Sequence, residues 1–276
     1  MYQIEKETEN EIGNENEIGN ENKNETENEK TIFILPFRNR DAELQIWLKH
    51  MLSILDQQLE CQELDYEKKP YEVLVIHQVD NKLFNKGSLV NTGFQIIKEK
   101  YINDDTYKSF TLVMNDIDIV PTKVGIFDYK TVEGIVRHPY GVLRPQFGGI
   151  LGGIYYIKFS DYERINGIPN YWGWGGEDIC MARRALAHNI KINEDNFIDR
   201  RSTPDILDPE SAPTEKQKHF QRVTDMRNLK ECFRENHLKP TNGLNNCKFE
   251  IVREYGVINY ENVKNVKMFD VSISIE

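Results

Sequence analysis

Thr31-Ile32-Phe33-Ile34-Leu35-Pro36-Phe37-Arg38-Asn39-Arg40 decides the fold. Its first seven residues are apolar or β-branched, with Pro36 next to last, and the run ends at Arg38-Asn39-Arg40. A short, continuously apolar segment bounded by such a change reads as a strand buried on both faces, the kind found inside a parallel sheet. The strand releases Arg38 and Arg40 at its C-terminal end. Asp41 then offers a helix cap, and Leu44, Trp47, Leu48, Met51, Leu52, Leu55 and Leu59 recur at spacings of three and four along one helical face.

The same alternation continues downstream. Tyr71–Ile76 is a second apolar strand. Lys82–Asn91 holds a turn with a cap expected at Ser88, and Leu89, Val90, Gly93, Phe94 and Ile97 form the buried side of a second helix. Phe110–Met114 is a third strand, and it runs into Asn115-Asp116-Ile117-Asp118. Strand–helix alternation predicts βαβ units around a parallel sheet. Ligands of such sheets bind beyond the C-terminal strand ends, where the arginines after strand one and the aspartates after strand three would share an edge. Arginines there suit a diphosphate, and a carboxylate suits a hard divalent cation bridging it. Acidic pairs at strand ends are also common without any ligand.

Further along, Gly148-Gly149-Ile150-Leu151-Gly152-Gly153 leads into a strand at Ile154–Phe159, and a short helix is expected at Ser160–Ile165. Then comes Asn170-Tyr171-Trp172-Gly173-Trp174-Gly175-Gly176-Glu177-Asp178. Glycine lets backbone approach a ligand, tryptophan supplies a flat amphipathic face, and the two carboxylates precede a helical pattern from Ile179 to about His188, at whose N-terminus the dipole favours negative charge. An aromatic loop with an ordinary acidic cap has the same composition. Ile190–Ile192 reads as a strand, Asn193–Ala212 as a long polar loop, Thr214–Phe233 as a helix, and Lys248–Tyr255 and Val271–Ile275 as strands.

Residues 1–30 repeat Glu-Asn-Glu-Ile-Gly-Asn and hold almost no large apolar side chains, so they are expected to be a disordered tail before one domain spanning residues 31–276. The chain has 276 residues and a net charge of −10, part of it in that tail, which argues against nucleic acid as a partner. Its apolar runs fall short of the about eighteen residues that span a bilayer, and with no signal pattern this predicts a soluble, cytoplasmic protein. Cys61, Cys180, Cys232 and Cys247 show neither zinc spacing nor a disulfide framework, and the histidines show no tight metal spacing.

Taken in order, Pro36-Phe37-Arg38-Asn39-Arg40, Phe84-Asn85-Lys86, Asn91-Thr92-Gly93-Phe94, Asp116-Ile117-Asp118, Phe147-Gly148-Gly149 and Trp172–Asp178 resemble the β-1,4-galactosyltransferase family over roughly residues 31–200. The resemblance implies a GT-A fold, a nucleotide-binding α/β/α sandwich with a mixed, mostly parallel sheet. It implies a UDP-sugar donor, a glycan acceptor, and transfer of galactose or a related hexose or N-acetylhexosamine with inversion at the anomeric carbon. It places Asp178 as general base and Glu177 on the donor sugar. Pro36, Phe37, Arg38, Arg40, Phe84, Lys86, Asp116, Asp118, Trp174 and Gly175 fall at donor-binding positions, and Gly149, Trp174 and Asp178 at the acceptor. Asp118 falls on a ligand of a divalent metal, manganese.

The sequence departs from that pattern in four places. The family's further metal ligands, a methionine and a histidine, align with Ile198 and Arg201, which cannot bind manganese; either Asp199 substitutes, or Arg200 or Arg201 pairs with the diphosphate instead. Ile179 stands where the family often has an acceptor-holding aspartate. Gln146 stands where it commonly has a selective tyrosine. The usual membrane anchor has no counterpart. Polypeptide N-acetylgalactosaminyltransferases, which are retaining, share a Trp-Gly-Gly-Glu core, and a non-catalytic nucleotide-sugar or glycan-binding protein is the remaining alternative.

Overall fold

The structure is a computed structural model that describes residues 30–59, 69–103, 106–200, 202, 204–207, 215–256 and 265–275. The expected tail and Arg201 lie outside the described residues. The elements, in chain order, are β1 (Thr31–Phe37), α1 (Asp41–Gln58), β2 (Tyr71–Gln78), α2 (Lys86–Lys100), β3 (Thr111–Asn115), β4 (Val120–Pro121), β5 (Ile135–Gly141), β6 (Ile154–Lys158), α3 (Phe159–Arg164), α4 (Glu177–Ala187), β7 (Lys191–Asn193), β8 (Ile198–Asp199), β9 (Ile206–Leu207), α5 (Glu215–Arg234), β10 (Cys247–Tyr255) and β11 (Val266–Ile275).

The main sheet runs β10-β11-β2-β1-β3-β6-β5-β7, with β8 also on β5. β11, β2, β1 and β3 are mutually parallel, as are β5 with β7 and β8; β6 is antiparallel to both β3 and β5, and β10 to β11. This is the mixed, mostly parallel sheet expected from the strand–helix alternation. Side chains alternate across each strand, so Phe33, Leu35 and Phe37 join the core under α1, with Trp47 and Leu48, while Ile32 and Ile34 join the opposite core with Leu89, Phe94, Met181 and Ala185 from α2 and α4. Both faces of β1 are buried, which explains why it reads as an unbroken apolar run. Gly93 lets α2 settle on β1: an added Cβ would lie 2.7 Å from Ile34 Cγ2.

Several local expectations shift. Asp41 is the first helical residue of α1, not its cap; Arg40 is the cap position and makes no side-chain capping bond. α2 begins earlier than Ser88 because Asn85 caps it, accepting from the Ser88 N–H at 2.9 Å. α4 begins at Glu177 because Gly176 turns the chain with φ 84° immediately before it. β5 was not legible, since Arg137, His138 and Pro139 interrupt its apolar pattern. The C-terminal strands complete the sheet: β11 pairs in parallel with β2, so the chain end extends the central sheet.

Candidate active site

β1 and β3 are parallel neighbours, so their C-terminal ends open on one edge, and Arg38, Arg40, Asp116 and Asp118 stand there together. Arg40 Nη1 donates to Asp118 Oδ2 at 2.9 Å, and its Nε reaches Glu43 at 3.3 Å. Arg38 donates to the Lys82 carbonyl at 2.6 Å. Pro36 and Phe37 are buried in β1, where the Phe37 ring lies 4.8 Å from that of His77.

The first residue of α2, Lys86, crosses this edge. Its Nζ lies 3.0 Å from Asp116 Oδ1 and 3.3 Å from Asp178 Oδ1, with only 12% of the side chain exposed. Three segments far apart in sequence therefore meet at one ammonium group. Burial would lower the Lys86 pKa, but Asp116, Asp178 and Glu177 together hold it above the usual lysine range.

Asp178 and Glu177 occupy the first turn of α4, where the helix dipole favours anions. The Asp178 carbonyl accepts from the Leu151 N–H at 3.1 Å, and a Cβ on Gly152 would lie 3.1 Å from Asp178 Oδ2, so the glycine run packs against the Asp178 carboxylate. Gly149 (φ 122°) lies against α4, facing Ala182. Glu177 is buried, and its Oε2 has no hydrogen-bond partner. Burial, reinforced by the charge of Asp178 and opposed by Lys86, pushes its carboxyl up to about 8. A neutral acid with an open oxygen is a hydrogen-bond donor as well as an acceptor.

The Trp loop is held from both sides. At its base, Asn170 is fully engaged: its Oδ1 accepts from Ser88 and Asn91 at 3.1 and 2.8 Å, its Nδ2 donates to Gly243 O and Asn246 Oδ1, and its N–H donates to Asn242. Gly173 N–H donates to the Phe84 carbonyl at 2.9 Å, which ties Phe84 to the loop through its backbone. At its tip α5 lies across the glycines. Thr224 Oγ1 accepts from Trp174 N–H at 3.1 Å, Asn228 Nδ2 donates to Gly175 O at 2.9 Å and Trp174 O at 3.3 Å, and Arg227 donates to the Trp172 carbonyl. Gly175 has φ 87°, and a Cβ there would fall 2.2 Å from Asp225 Oδ1, so only glycine fits under the helix. The loop backbone is thus fixed while the Trp174 side chain stays 59% exposed.

This clamp was invisible in the sequence, because nothing local links residues 224–228 to residues 172–175. Asn228→Ala should remove two loop bonds from a side chain that is 1% exposed. Misplacing a loop that orients reacting groups is expected to lower kcat about tenfold with little change in donor affinity. Steady-state kinetics alongside a thermal melt separate this from loss of folded protein. An unchanged kcat in a folded variant would deny the clamp a role.

The metal expected at Asp118 finds few ligands. Asp118 Oδ2 is engaged by Arg40, Ile198 is a hydrocarbon paired with Tyr140 in the sheet, and Arg201 is outside the described residues. Asp199 ends β8 and Arg200 follows it, its N–H donating to Gly141 O. Among the described residues no three His, Cys, Asp or Glu side chains gather at Asp118, so of the expected ligands they supply Asp118 alone, and no chemical step is assigned to a metal. Ile179 is buried beside Tyr171, Cys180 and Cys232, and Gln146 is exposed in the turn before Phe147. No helix among the described residues is long and apolar enough to cross a membrane.

Two family models match the chain: the N-terminal region of glycosyl transferase group 7 over residues 2–127, and a domain described as the N-terminal domain of galactosyltransferase over residues 143–204. Human β-1,4-galactosyltransferase 1 is 30% identical over 174 residues, 61% of this chain and 40% of that protein. The xylosylprotein 4-β-galactosyltransferase of Caenorhabditis elegans is 31% identical over 171 residues, 59% of this chain and 52% of that protein. The matched region thus spans about half or less of these relatives' length. A crystal structure of a Drosophila β-1,4-galactosyltransferase 7 mutant in complex with manganese, UDP-Gal and xylobiose superposes with a TM-score of 0.65 at 23% identity, covering 90% of this chain and 95% of that one. The fold is therefore that of a GT-A galactosyltransferase, and with both halves of the group 7 family matched in order, the chain belongs to the β-1,4-galactosyltransferase family.

Proposed function

We propose that the protein transfers a hexose, galactose or a close relative, from a UDP-sugar to a hydroxyl of a glycan acceptor, with inversion at the anomeric carbon and Asp178 as general base. The observation that carries the reading is the convergence of Lys86, Asp116 and Asp178 at the C-terminal edge of the parallel strands, with Trp174 exposed in the loop that leads into α4. Arg38, Arg40 and Lys86 supply positive charge for a diphosphate at that edge. Trp174 offers a flat face on which a sugar ring can lie. The acceptor oxygen attacks C1 of the donor sugar and gives its proton to the Asp178 carboxylate. The bond from C1 to the phosphate oxygen breaks as the new one forms, and UDP leaves with the electron pair. Much of the acceleration is assigned to positioning, which the clamped loop provides.

Glu177 is given the donor sugar, with its protonated carboxyl donating to a hydroxyl. Its raised value predicts an alkaline limb in kcat/KM near pH 8. Above that pH Glu177 ionises and Lys86 faces one more buried carboxylate. Glu177→Gln, which cannot ionise, should lose that limb while keeping a fraction of the activity. A limb that persists in the variant assigns it to another group. The linked stability follows the same sign: the folded state holds the Glu177 proton more tightly than the unfolded chain, so stability falls as pH rises from about 4.5 to about 8.

The reading is tested by UDP release from a panel of UDP-sugars, with and without simple sugar acceptors, in manganese and in chelator. Acceptor-stimulated release supports it and names the donor. Absence of both release and UDP-sugar binding contradicts it.

A further inference from the structure

Behind the active site, on the face of α4 away from Lys86, lies a second group of reactive side chains that the proposed chemistry does not use. Cys180 and Arg184 of α4 are fully buried, and Glu235 and His237 follow the end of α5 with side chains 10% and 16% exposed. One oxygen is the hub. Glu235 Oε2 takes Cys180 Sγ at 3.0 Å, Arg184 Nε at 2.9 Å and His237 Nδ1 at 3.2 Å, while Oε1 takes Arg184 Nη2 at 2.5 Å. A carboxylate oxygen has two lone-pair sites, so three donors oversubscribe it. The fully buried thiol of Cys232, on the last turns of α5, packs in the same buried cluster as Cys180. Tyr171 Oη donates to Cys180 Sγ at 3.8 Å.

We propose that Cys180, Glu235 and His237, completed by Cys232, bind a thiophilic divalent metal ion such as zinc, which braces the helix carrying Glu177 and Asp178 against the end of α5. The ligating atoms of Cys180, Glu235 and His237 lie within 4.8 Å of one another. Tetrahedral zinc, with bonds of about 2.0–2.3 Å, needs neighbouring ligands roughly 3.3–3.8 Å apart, so these three ligands need little contraction, and Cys232, outside that 4.8 Å set, must close in to serve as the fourth. Sulfur and imidazole select zinc over the hard cations that prefer oxygen. The charges also close: two thiolates and Glu235 carry three negative charges, and the ion with Arg184 carries three positive ones. Arg184 keeps its fork on Glu235 and acts as the outer partner that orients the ligand. Binding releases the two thiol protons to solvent and involves no redox change. Sequence spacing conceals the site because Cys180 stands 52 residues before Cys232 (232 − 180). The proposal is independent of sugar transfer.

The test uses the full chain, purified and kept in a non-thiol reductant so that Cys180 and Cys232 stay reduced. Zinc is quantified after dialysis into metal-free buffer, and cobalt is titrated into metal-depleted protein. The expected result is about one equivalent of zinc retained per chain and, with cobalt, a thiolate-to-metal charge-transfer band in the near ultraviolet. The band should vanish in Cys180→Ser and weaken in Cys232→Ser and His237→Gln. Wild-type protein that retains no zinc and gives no band at saturating cobalt overturns the proposal, whatever the variants do. A band of unchanged strength in Cys180→Ser also overturns it, since the metal would then sit on other thiols.

Discussion

Asp178→Asn should lower kcat for acceptor-dependent UDP release by about a thousandfold. The side chain stands in the first turn of α4 with its carboxylate 18% exposed, 3.3 Å from Lys86 Nζ and packed against Gly152. Asparagine has the same shape and keeps the helix start, but it cannot take a proton from the acceptor hydroxyl. Loss of a positioned general base costs about 10²–10⁴ in rate, and the expected loss is the middle of that range. Glu177 stands beside Asp178 in the chain, but burial together with the Asp178 charge holds its proton up to about 8. UDP-sugar affinity, read by calorimetry, should change by less than about threefold, because the proposed base acts on the acceptor. A variant that keeps its rate would remove Asp178 from the chemistry, whereas one that loses donor binding would recast it as a donor ligand.

Lys86→Met should be nearly as damaging, for an electrostatic reason. The ammonium sits between Asp116 and Asp178 at 3.0 and 3.3 Å, and Glu177 adds to the same field. Breaking a buried ion pair costs about 3–5 kcal/mol. The Asp116 side chain is 35% exposed, so water screens part of this, and a loss of about 2 kcal/mol is expected at neutral pH. The loss should shrink as pH falls toward 5, because the abandoned Asp116, whose carboxyl burial already pushes up, can then be protonated. Donor affinity should fall about tenfold if Lys86 also meets the diphosphate. Lys86→Arg should recover much of the stability and only part of the turnover, since the guanidinium fork does not reproduce a single ammonium between two carboxylates. Equal stability of Lys86→Met and wild type across pH 5–8 would contradict this picture of the site.

How far the sequence led depended on whether the information was local. β1, β2 and β3 were legible because strands covered on both faces must be apolar throughout, and their alternation with α1 and α2 implied a parallel sheet. The edge that joins Arg40 to Asp118 follows from that topology; the family resemblance assigns Lys86 and Asp178 separate roles, donor binding and general base, and their direct contact comes from the structure. β5 stayed hidden because His138 and Pro139 break its pattern, although neighbouring strands bury it. The ion pair of Arg40 with Asp118, the grip of Thr224 and Asn228 on the Trp loop, and the meeting of Cys180 with Glu235 and His237 are long-range contacts between polar residues. Periodicity and capping rules describe single elements and carry no signal for such contacts.

The central claim is that this site transfers a sugar with inversion, and the anomeric configuration of the product tests it most directly. A UDP-α-hexose that supports acceptor-stimulated UDP release would be incubated with the best sugar acceptor, and the purified product read by the proton coupling at its new anomeric centre. A β-linked product formed by wild type, and lost in Asp178→Asn, is the result predicted. An α-linked product would contradict it and point to a retaining route, and UDP-sugar binding with no transfer to any acceptor would instead mark a binding protein on a transferase fold.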